Sequence, residues 1–94
     1  MNYPFENNIQ DKFGVIIMAG GLGKRMNSDL PKVLHKLNDL PLIIHILKTL
    51  IEIKPEKIFI IVGKYKEIIE NTIKEYISLK FIEDNIIYVI QENP

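Results

Sequence analysis

Residues 15–35 read VIIMAGGLGKRMNSDLPKVLH and predict a buried strand followed by a glycine-rich loop. The apolar run of residues 13–18 is typical of a parallel strand that is covered on both faces. The loop after it contains three glycines, at positions 20, 21 and 23. Glycine has no Cβ and adopts positive φ at low cost, so such a loop exposes backbone amides to a ligand. A plain tight turn needs fewer glycines, and the surplus favours a binding loop.

Cations stand beside the glycines and again after a proline. Lys24 and Arg25 follow Gly23, and Lys32 follows Pro31. A guanidinium can hold two phosphate oxygens and an ammonium acts as a compact point charge. Arg25 and Lys32 therefore suit the charge that develops during phosphoryl or nucleotidyl transfer. The alternative is that both are solvated surface cations, the usual state of Lys and Arg, but both lie close to the glycine loop.

Two well-known phosphate-binding motifs do not fit this loop. A P-loop needs a glycine five residues before its Gly-Lys pair and a Ser or Thr after it. The pair Gly23-Lys24 has Met18 and Arg25 at those positions. The dinucleotide fingerprint needs a small residue where Met26 stands and an acidic residue at the end of the next strand, which is absent. A Walker ATPase and an NAD-binding protein are both disfavoured.

Composition excludes several classes of function. The chain has 94 residues, 47% of them hydrophobic, which predicts one small domain. Lys and Arg total 12, as do Asp and Glu, so no overall field attracts nucleic acid or a membrane surface. The absence of cysteine excludes disulfides, thiolate zinc sites and cysteine nucleophiles. Two histidines alone make a poor metal site, so we assign His35 and His45 structural roles and predict no metal ligand here.

Residues 1–12 form a polar arm that lacks the apolar core of a signal peptide. No apolar run in the sequence approaches the length of a membrane span. We therefore expect a cytoplasmic protein with no membrane contact.

The rest of the chain alternates strand and helix patterns. The strands are expected at residues 13–18, 57–62 and 86–90, and the helices at residues 41–53 and 65–77. Asn38 and Asp39 offer a polar cap for the first helix, and residues 83–85 look like an acidic turn before the third strand. The order β, glycine loop, α, β, α, β predicts an α/β fold with right-handed crossovers and a parallel sheet.

These motifs resemble a known family. The pattern MAGGxGxRM at residues 18–26, followed by SDLPKVLH at residues 28–35, is similar to the N-terminal signature of sugar-1-phosphate nucleotidyltransferases. It most resembles the bacterial-type N-acetylglucosamine-1-phosphate uridylyltransferases, also called UDP-N-acetylglucosamine pyrophosphorylases. The resemblance covers residues 13–94 and implies the N-terminal, nucleotide-binding portion of a Rossmann-like, glycosyltransferase-A-like domain that is truncated here.

The resemblance also implies a reaction. The phosphate of N-acetylglucosamine 1-phosphate attacks the α-phosphorus of UTP, and pyrophosphate leaves with the help of magnesium. Carried over residue by residue, Arg25 and Lys32 would be catalytic and Gln91 would read the uracil edge. The backbone of the loop would contact the nucleotide at Met18, Ala19, Gly20, Gly21 and Gly23. The magnesium ligands and the sugar pocket of the family lie beyond the residues present, so we expect no full turnover from this chain alone.

Three hypotheses follow. The first is the nucleotide-binding part of a uridylyltransferase that uses UTP and a sugar 1-phosphate. The second is a cytidylyl- or molybdenum-cofactor-type nucleotidyltransferase, because Gly20 stands where uridylyltransferases usually carry alanine. The third is a non-catalytic binding or oligomerising module, whose exposed third strand recruits another chain or a second copy.

Overall fold

The computed structural model describes residues 12–19 and 30–91 of the chain. The elements in chain order are β1 (Gly14–Met18), a 3₁₀ helix (Lys32–Leu34), β2 (Lys36–Leu37), β3 (Leu40–Pro41), α1 (Leu42–Ile53), β4 (Lys57–Val62), α2 (Lys66–Tyr76), α3 (Leu79–Asn85) and β5 (Ile86–Ile90). The predicted strands and helices are all present, within a residue or so of their expected bounds. No helix in this described part reaches the length and apolarity that a membrane crossing requires.

The main sheet has three parallel strands in the order β1-β4-β5. β4 lies in the middle, with Ile17 of β1 and Tyr88 of β5 both in register with Ile60. The predicted parallel α/β architecture is therefore confirmed, and the third strand lies at an edge as expected. Because all three strands run the same way, their carboxyl ends meet at one edge of the sheet.

The helices cover one face of this sheet. Its strands contribute alternate residues to the core, and Ile58, Ile60 and Val62 of β4 are completely buried. The helices contribute the buried side chains Ile43, Ile44 and Leu47 from α1 and Ile69 and Ile73 from α2. The chain crosses from β1 to β4 and from β4 to β5 in the same direction. Two right-handed crossovers in one direction place both helices on the same side.

The prediction that the first strand is covered on both faces is wrong. Val15 and Ile17 face the helices, whereas Ile16 and Met18 point away from them and are each 66% exposed. A continuous apolar run indicates burial on both sides, but the described residues supply a helical layer on only one. We call the uncovered side, with Ile16 and Met18, the open face.

A tight hairpin precedes the first helix and replaces the predicted polar cap. β2 and β3 pair antiparallel across Asn38 and Asp39, whose φ angles are 54° and 66°. Positive φ at both central residues is the mark of a type I′ turn, which Asn and Asp tolerate. Their side chains therefore do not cap α1, which begins at Leu42 after Pro41 with no side-chain cap.

The predicted acidic turn at residues 83–85 is also wrong, because these residues end the short helix α3. Ser78 caps this helix, since its Oγ accepts a hydrogen bond from the backbone N–H of Phe81 at 3.2 Å. Ile82 buries the inner side of α3 in the core. The helix packs beside the amino ends of the strands, where Lys57 Nζ donates to the Asp84 carbonyl at 2.7 Å.

Candidate functional site

The carboxyl edge of the sheet brings the ends of β1 and β5 to either side of β4. The backbone N–H of Ala19 donates to the Ile61 carbonyl at 2.9 Å, and that of Gln91 donates to the Val62 carbonyl at 2.7 Å. Both bonds extend the parallel ladder by one residue beyond the assigned strands. In open α/β sheets this edge is the usual place for a ligand. Ala19 and Gln91 are both predicted site residues, and they therefore lie on either side of the carboxyl end of β4.

Met18 and Gln91 belong to the same face of the sheet. Side chains alternate along a strand, so Gln91 shares the open face with Ile87 and Val89, while Met18 shares it with Ile16. Two strand spacings, about 10 Å, separate β1 from β5. That span is comparable to a nucleoside, and both side chains are exposed at this edge. Ala19, by contrast, is buried on the helix side.

Few groups of Ala19 are accessible to a ligand. Its N–H is already donated to the Ile61 carbonyl and its side chain is buried on the helix side, so a nucleotide base at this edge would meet neither of them. The predicted contacts of Gly20, Gly21 and Gly23, and of Arg25, fall in residues 20–29 and lie outside the described residues. They stay predictions.

Lys32 lies on a turn whose flanking residues are buried. Pro31 and Leu34 are buried, and the Leu34 N–H donates to the Pro31 carbonyl at 3.0 Å. Lys32 itself is exposed and has no ion-pair partner among residues 12–19 and 30–91. The sequence PKVL thus presents one cation from a short, packed 3₁₀ turn, as a positioned phosphate ligand would require.

The two histidines hold this turn and the hairpin against their neighbours. His45 Nε2, on α1, donates to the Leu37 carbonyl at 2.6 Å. His35 Nε2 lies 3.3 Å from the Leu30 carbonyl, and the His35 carbonyl accepts from the Leu42 N–H at 2.9 Å. These contacts with backbone groups fit the structural roles expected for both rings.

Two further cations stand at the carboxyl edge and were not predicted as site residues. Lys64 and Lys66 follow the end of β4, the central strand. Lys66 Nζ forms an ion pair with Glu70 Oε1 at 3.0 Å. Lys64 Nζ instead lies over the Tyr65 ring, 5.1 Å from its centre. The rule that ligands gather at strand ends would have found both residues. Lys66 instead matched the polar side of the predicted helix at residues 65–77, and Lys64 lies before that helix.

The described residues do not supply a magnesium site. No group of three or more His, Cys, Asp or Glu side chains within them could hold a metal ion. The acidic side chain beside Lys66 is Glu70, which forms an ion pair with it. We derive no chemical step through a metal from these residues.

Tyr88 carries a buried hydroxyl under α2. Its Oη has no hydrogen-bond partner in the described part of the chain, and Lys66 Nζ lies 6.0 Å from its ring centre. Burial, and then the negative charge of Glu70, raise the pKa of Tyr88 from 10.0 to about 12. The folded state therefore holds the phenolic proton more tightly than the unfolded chain does.

Replacing Tyr88 with Phe is expected to raise stability, because an unpartnered buried hydroxyl costs about 1–3 kcal/mol. The wild-type free energy of unfolding should also fall as pH rises from 10 towards 12, since the unfolded chain loses the proton first. The Tyr88→Phe variant should show a shallower fall. Urea unfolding at pH 8 and pH 11 measures both effects, with the exposed Tyr76→Phe as control. A loss of stability in Tyr88→Phe at pH 8 would contradict this account.

Comparisons with known proteins show the family of this chain. The family profile of the MobA-like NTP transferase domain matches residues 15–88. Among relatives, the "Probable UDP-N-acetylglucosamine pyrophosphorylase" of Acanthamoeba polyphaga mimivirus is 40% identical over 89 residues, which are 95% of this chain and 33% of that protein. The "Bifunctional protein GlmU" of Synechococcus sp. strain JA-3-3Ab is 45% identical over 69 residues, 73% of this chain and 11% of that protein.

Solved structures share the fold at lower identity. The inositol-1-phosphate CTP transferase from T. maritima superposes with a TM-score of 0.64 and 21% identity, covering 86% of this chain and 32% of that one. HddC from Yersinia pseudotuberculosis gives a TM-score of 0.67 and 24% identity, covering 87% and 36%. The chain thus spans about a third of the mimivirus relative and of both structures. It belongs to the MobA-like NTP transferase domain family.

Proposed function

We propose that this chain is the nucleotide-binding part of a uridylyltransferase that makes UDP-N-acetylglucosamine. In the reaction, a phosphate oxygen of N-acetylglucosamine 1-phosphate bonds to the α-phosphorus of UTP, and the bond from that phosphorus to the β-phosphate oxygen breaks. Pyrophosphate leaves. Such a transfer needs positioning and charge stabilisation rather than a protein nucleophile.

The observation that carries this proposal is the pair of backbone bonds at the carboxyl edge. Through them Ala19 and Gln91 flank the end of β4, with Met18 and Gln91 on the same face. A uracil ring between the ends of β1 and β5 would lie within reach of the Gln91 side-chain amide. Lys32, on its packed turn, would bind the phosphate chain, and Arg25 would stabilise charge on the transferring phosphate. Magnesium would be held by ligands outside this chain.

The choice of UTP draws support from the relatives named UDP-N-acetylglucosamine pyrophosphorylase and GlmU. CTP is the alternative, because Gly20 departs from the uridylyltransferase pattern and one structure with the same fold is a CTP transferase.

Calorimetric titration of the 94-residue chain with UTP, CTP and GTP separates these functions. We expect UTP to bind at least fivefold more tightly than CTP or GTP, and Gln91→Ala to remove that preference. Glu52→Ala, an exposed change on α1, serves as control. Tighter binding of CTP or GTP would contradict the uridylyl assignment. Pyrophosphate release from UTP and N-acetylglucosamine 1-phosphate should be negligible with this chain alone.

A further inference from the structure

On the open face, the strand position beside Gln91 carries no side chain. Val62 pairs with Ile90 at the last step of the ladder between β4 and β5. The next step places Gln91 beside Gly63, and side chains alternate along a strand, so both residues belong to the open face. A glycine lets a ligand come close to the backbone. A flat ring next to the Gln91 amide can therefore lie over the end of the central strand.

Lys64 follows Gly63 on a turn that is held in place. The Lys66 N–H donates to the Gly63 carbonyl at 3.1 Å, and Tyr65 packs against the core. The Lys64 side chain is exposed, with its Nζ 5.1 Å from the centre of the Tyr65 ring. An exposed cation–π contact is weak, so a ligand carbonyl can replace it. The turn thus presents an ammonium group next to the ring position over Gly63.

The charge of Lys64 is unpaired, whereas that of its neighbour Lys66 is not. Lys66 Nζ forms its ion pair with Glu70 and lies 6.0 Å from the centre of the Tyr88 ring, on the helix side. Lys64 has no ion-pair partner within residues 12–19 and 30–91. An ammonium group donates hydrogen bonds and accepts none. Lys64 can therefore recognise only an acceptor on the ring.

The Gln91 amide alone does not distinguish uracil from cytosine. It carries both an acceptor oxygen and a donor NH₂ group, and a flip of the amide exchanges the two. Uracil, like thymine, presents the O4 acceptor at the place where cytosine presents its N4 amino donor. The ammonium of Lys64 has no such alternative orientation. Facing the cytosine amino group, it would leave two donors opposed without an acceptor, and such a mismatch is a source of specificity.

We propose that Lys64 selects UTP over CTP by donating a hydrogen bond to O4 of the uracil ring. Gln91 orients the ring, and Lys64 recognises the group at its 4-position. This inference rests on the proposed function, because it requires a pyrimidine nucleotide at the carboxyl edge of the sheet. It adds to that site a specificity-determining residue that lies outside the glycine-rich motif and the PKVL turn.

Calorimetric titration of the 94-residue chain and its Lys64→Met variant with UTP and CTP tests the role of Lys64. Methionine keeps an unbranched apolar side chain and removes the charge. We expect UTP binding to weaken by about fivefold and CTP binding to stay about the same, so that the preference disappears. Lys74→Met is the matched control, because Lys74 is an exposed lysine in the last turn of α2, away from the carboxyl edge. Circular dichroism of each variant checks its fold.

Two thiolated nucleotides provide a readout that needs no variant. Sulfur is a weak hydrogen-bond acceptor, so 4-thio-UTP should bind the wild-type chain about threefold more weakly than UTP. The affinity of 2-thio-UTP should stay close to that of UTP. Equal losses for the two analogues would overturn the contact with O4. Equal weakening of UTP and CTP in Lys64→Met would also overturn the proposal, since Lys64 would then bind a phosphate.

The wild-type titrations separate a failure of this proposal from a failure of the proposed function. A wild-type chain that prefers UTP, and keeps that preference in Lys64→Met, would overturn the role of Lys64 alone. A wild-type chain without a preference for UTP over CTP would overturn the role of Lys64 and the uridylyl assignment together.

Discussion

Replacing Ile60 with alanine is expected to lower the free energy of unfolding by about 2–5 kcal/mol. Ile60 lies at the centre of β4, is completely buried, and packs in the layer between the sheet and the helices. Truncation removes three methyl or methylene carbons and leaves a cavity that the two flanking strands cannot close. A small domain has only about 5–15 kcal/mol of stability in total, so much of it would be lost. Urea unfolding measures the change.

The control for this prediction is Ile16→Ala. It makes the same chemical change on the neighbouring strand, but at a side chain on the open face that is 66% exposed. Its effect should stay within about 0.5 kcal/mol. Equal losses at the two positions would contradict the one-sided core, because Ile16 would then be packed in solution.

Replacing Lys32 with alanine is expected to weaken UTP binding by about 10- to 100-fold, the range for a charge-assisted hydrogen bond of roughly 1.5–3 kcal/mol. The neighbours Pro31 and Leu34 anchor the turn, so the loss would reflect the ammonium rather than a displaced backbone. The stability of the fold should not change, since Lys32 is exposed. Calorimetric titration with UTP measures the affinity.

Lys36→Ala is the matched control for Lys32. Lys36 is also exposed and lies only four residues further on, in β2, so both variants remove one positive charge from the same region. A general electrostatic effect would weaken UTP binding equally in the two variants. Equal losses, or no loss in Lys32→Ala, would remove Lys32 from the proposed phosphate site.

The main sheet could be predicted because its strands carry strong local signals. β4 and β5 have the expected bounds, since each is a continuous run of β-branched and aromatic residues. The end of α1 could also be predicted from the sequence. Lys54 ends that helix in the left-handed conformation with φ of 55°, and Pro55 follows it.

Other features depend on tertiary context that a local pattern does not contain. Asn and Asp favour helix caps and type I′ turns alike, so Asn38 and Asp39 did not reveal which one forms. α3 has seven residues, too few for a clear helical period, and its charged side chains gave the appearance of a turn. The continuous apolar run of β1 does not reveal that the side chains of Ile16 and Met18 are exposed.

The candidate site was predictable to the extent that it follows from topology. Parallel strands bring their carboxyl ends to one edge, and for this reason Ala19 and Gln91 lie on either side of β4. The anchoring of Lys32 by Pro31 and Leu34 was less visible, because it depends on packing against α1. The sequence does not indicate Lys64 or Lys66 as site residues, because Lys66 matches the polar side of the predicted helix at residues 65–77 and Lys64 belongs to no motif.

The central claim is that the carboxyl edge of this sheet binds a uridine nucleotide. Amide NMR of the ¹⁵N-labelled chain during titration with UTP tests it most directly. We expect the largest shifts at Ala19, Lys32 and Gln91, and none at Glu56 or Asn85, which meet at the amino edge through a 3.3 Å hydrogen bond. Shifts centred on Glu56 and Asn85, or no shifts at millimolar UTP, would contradict the claim.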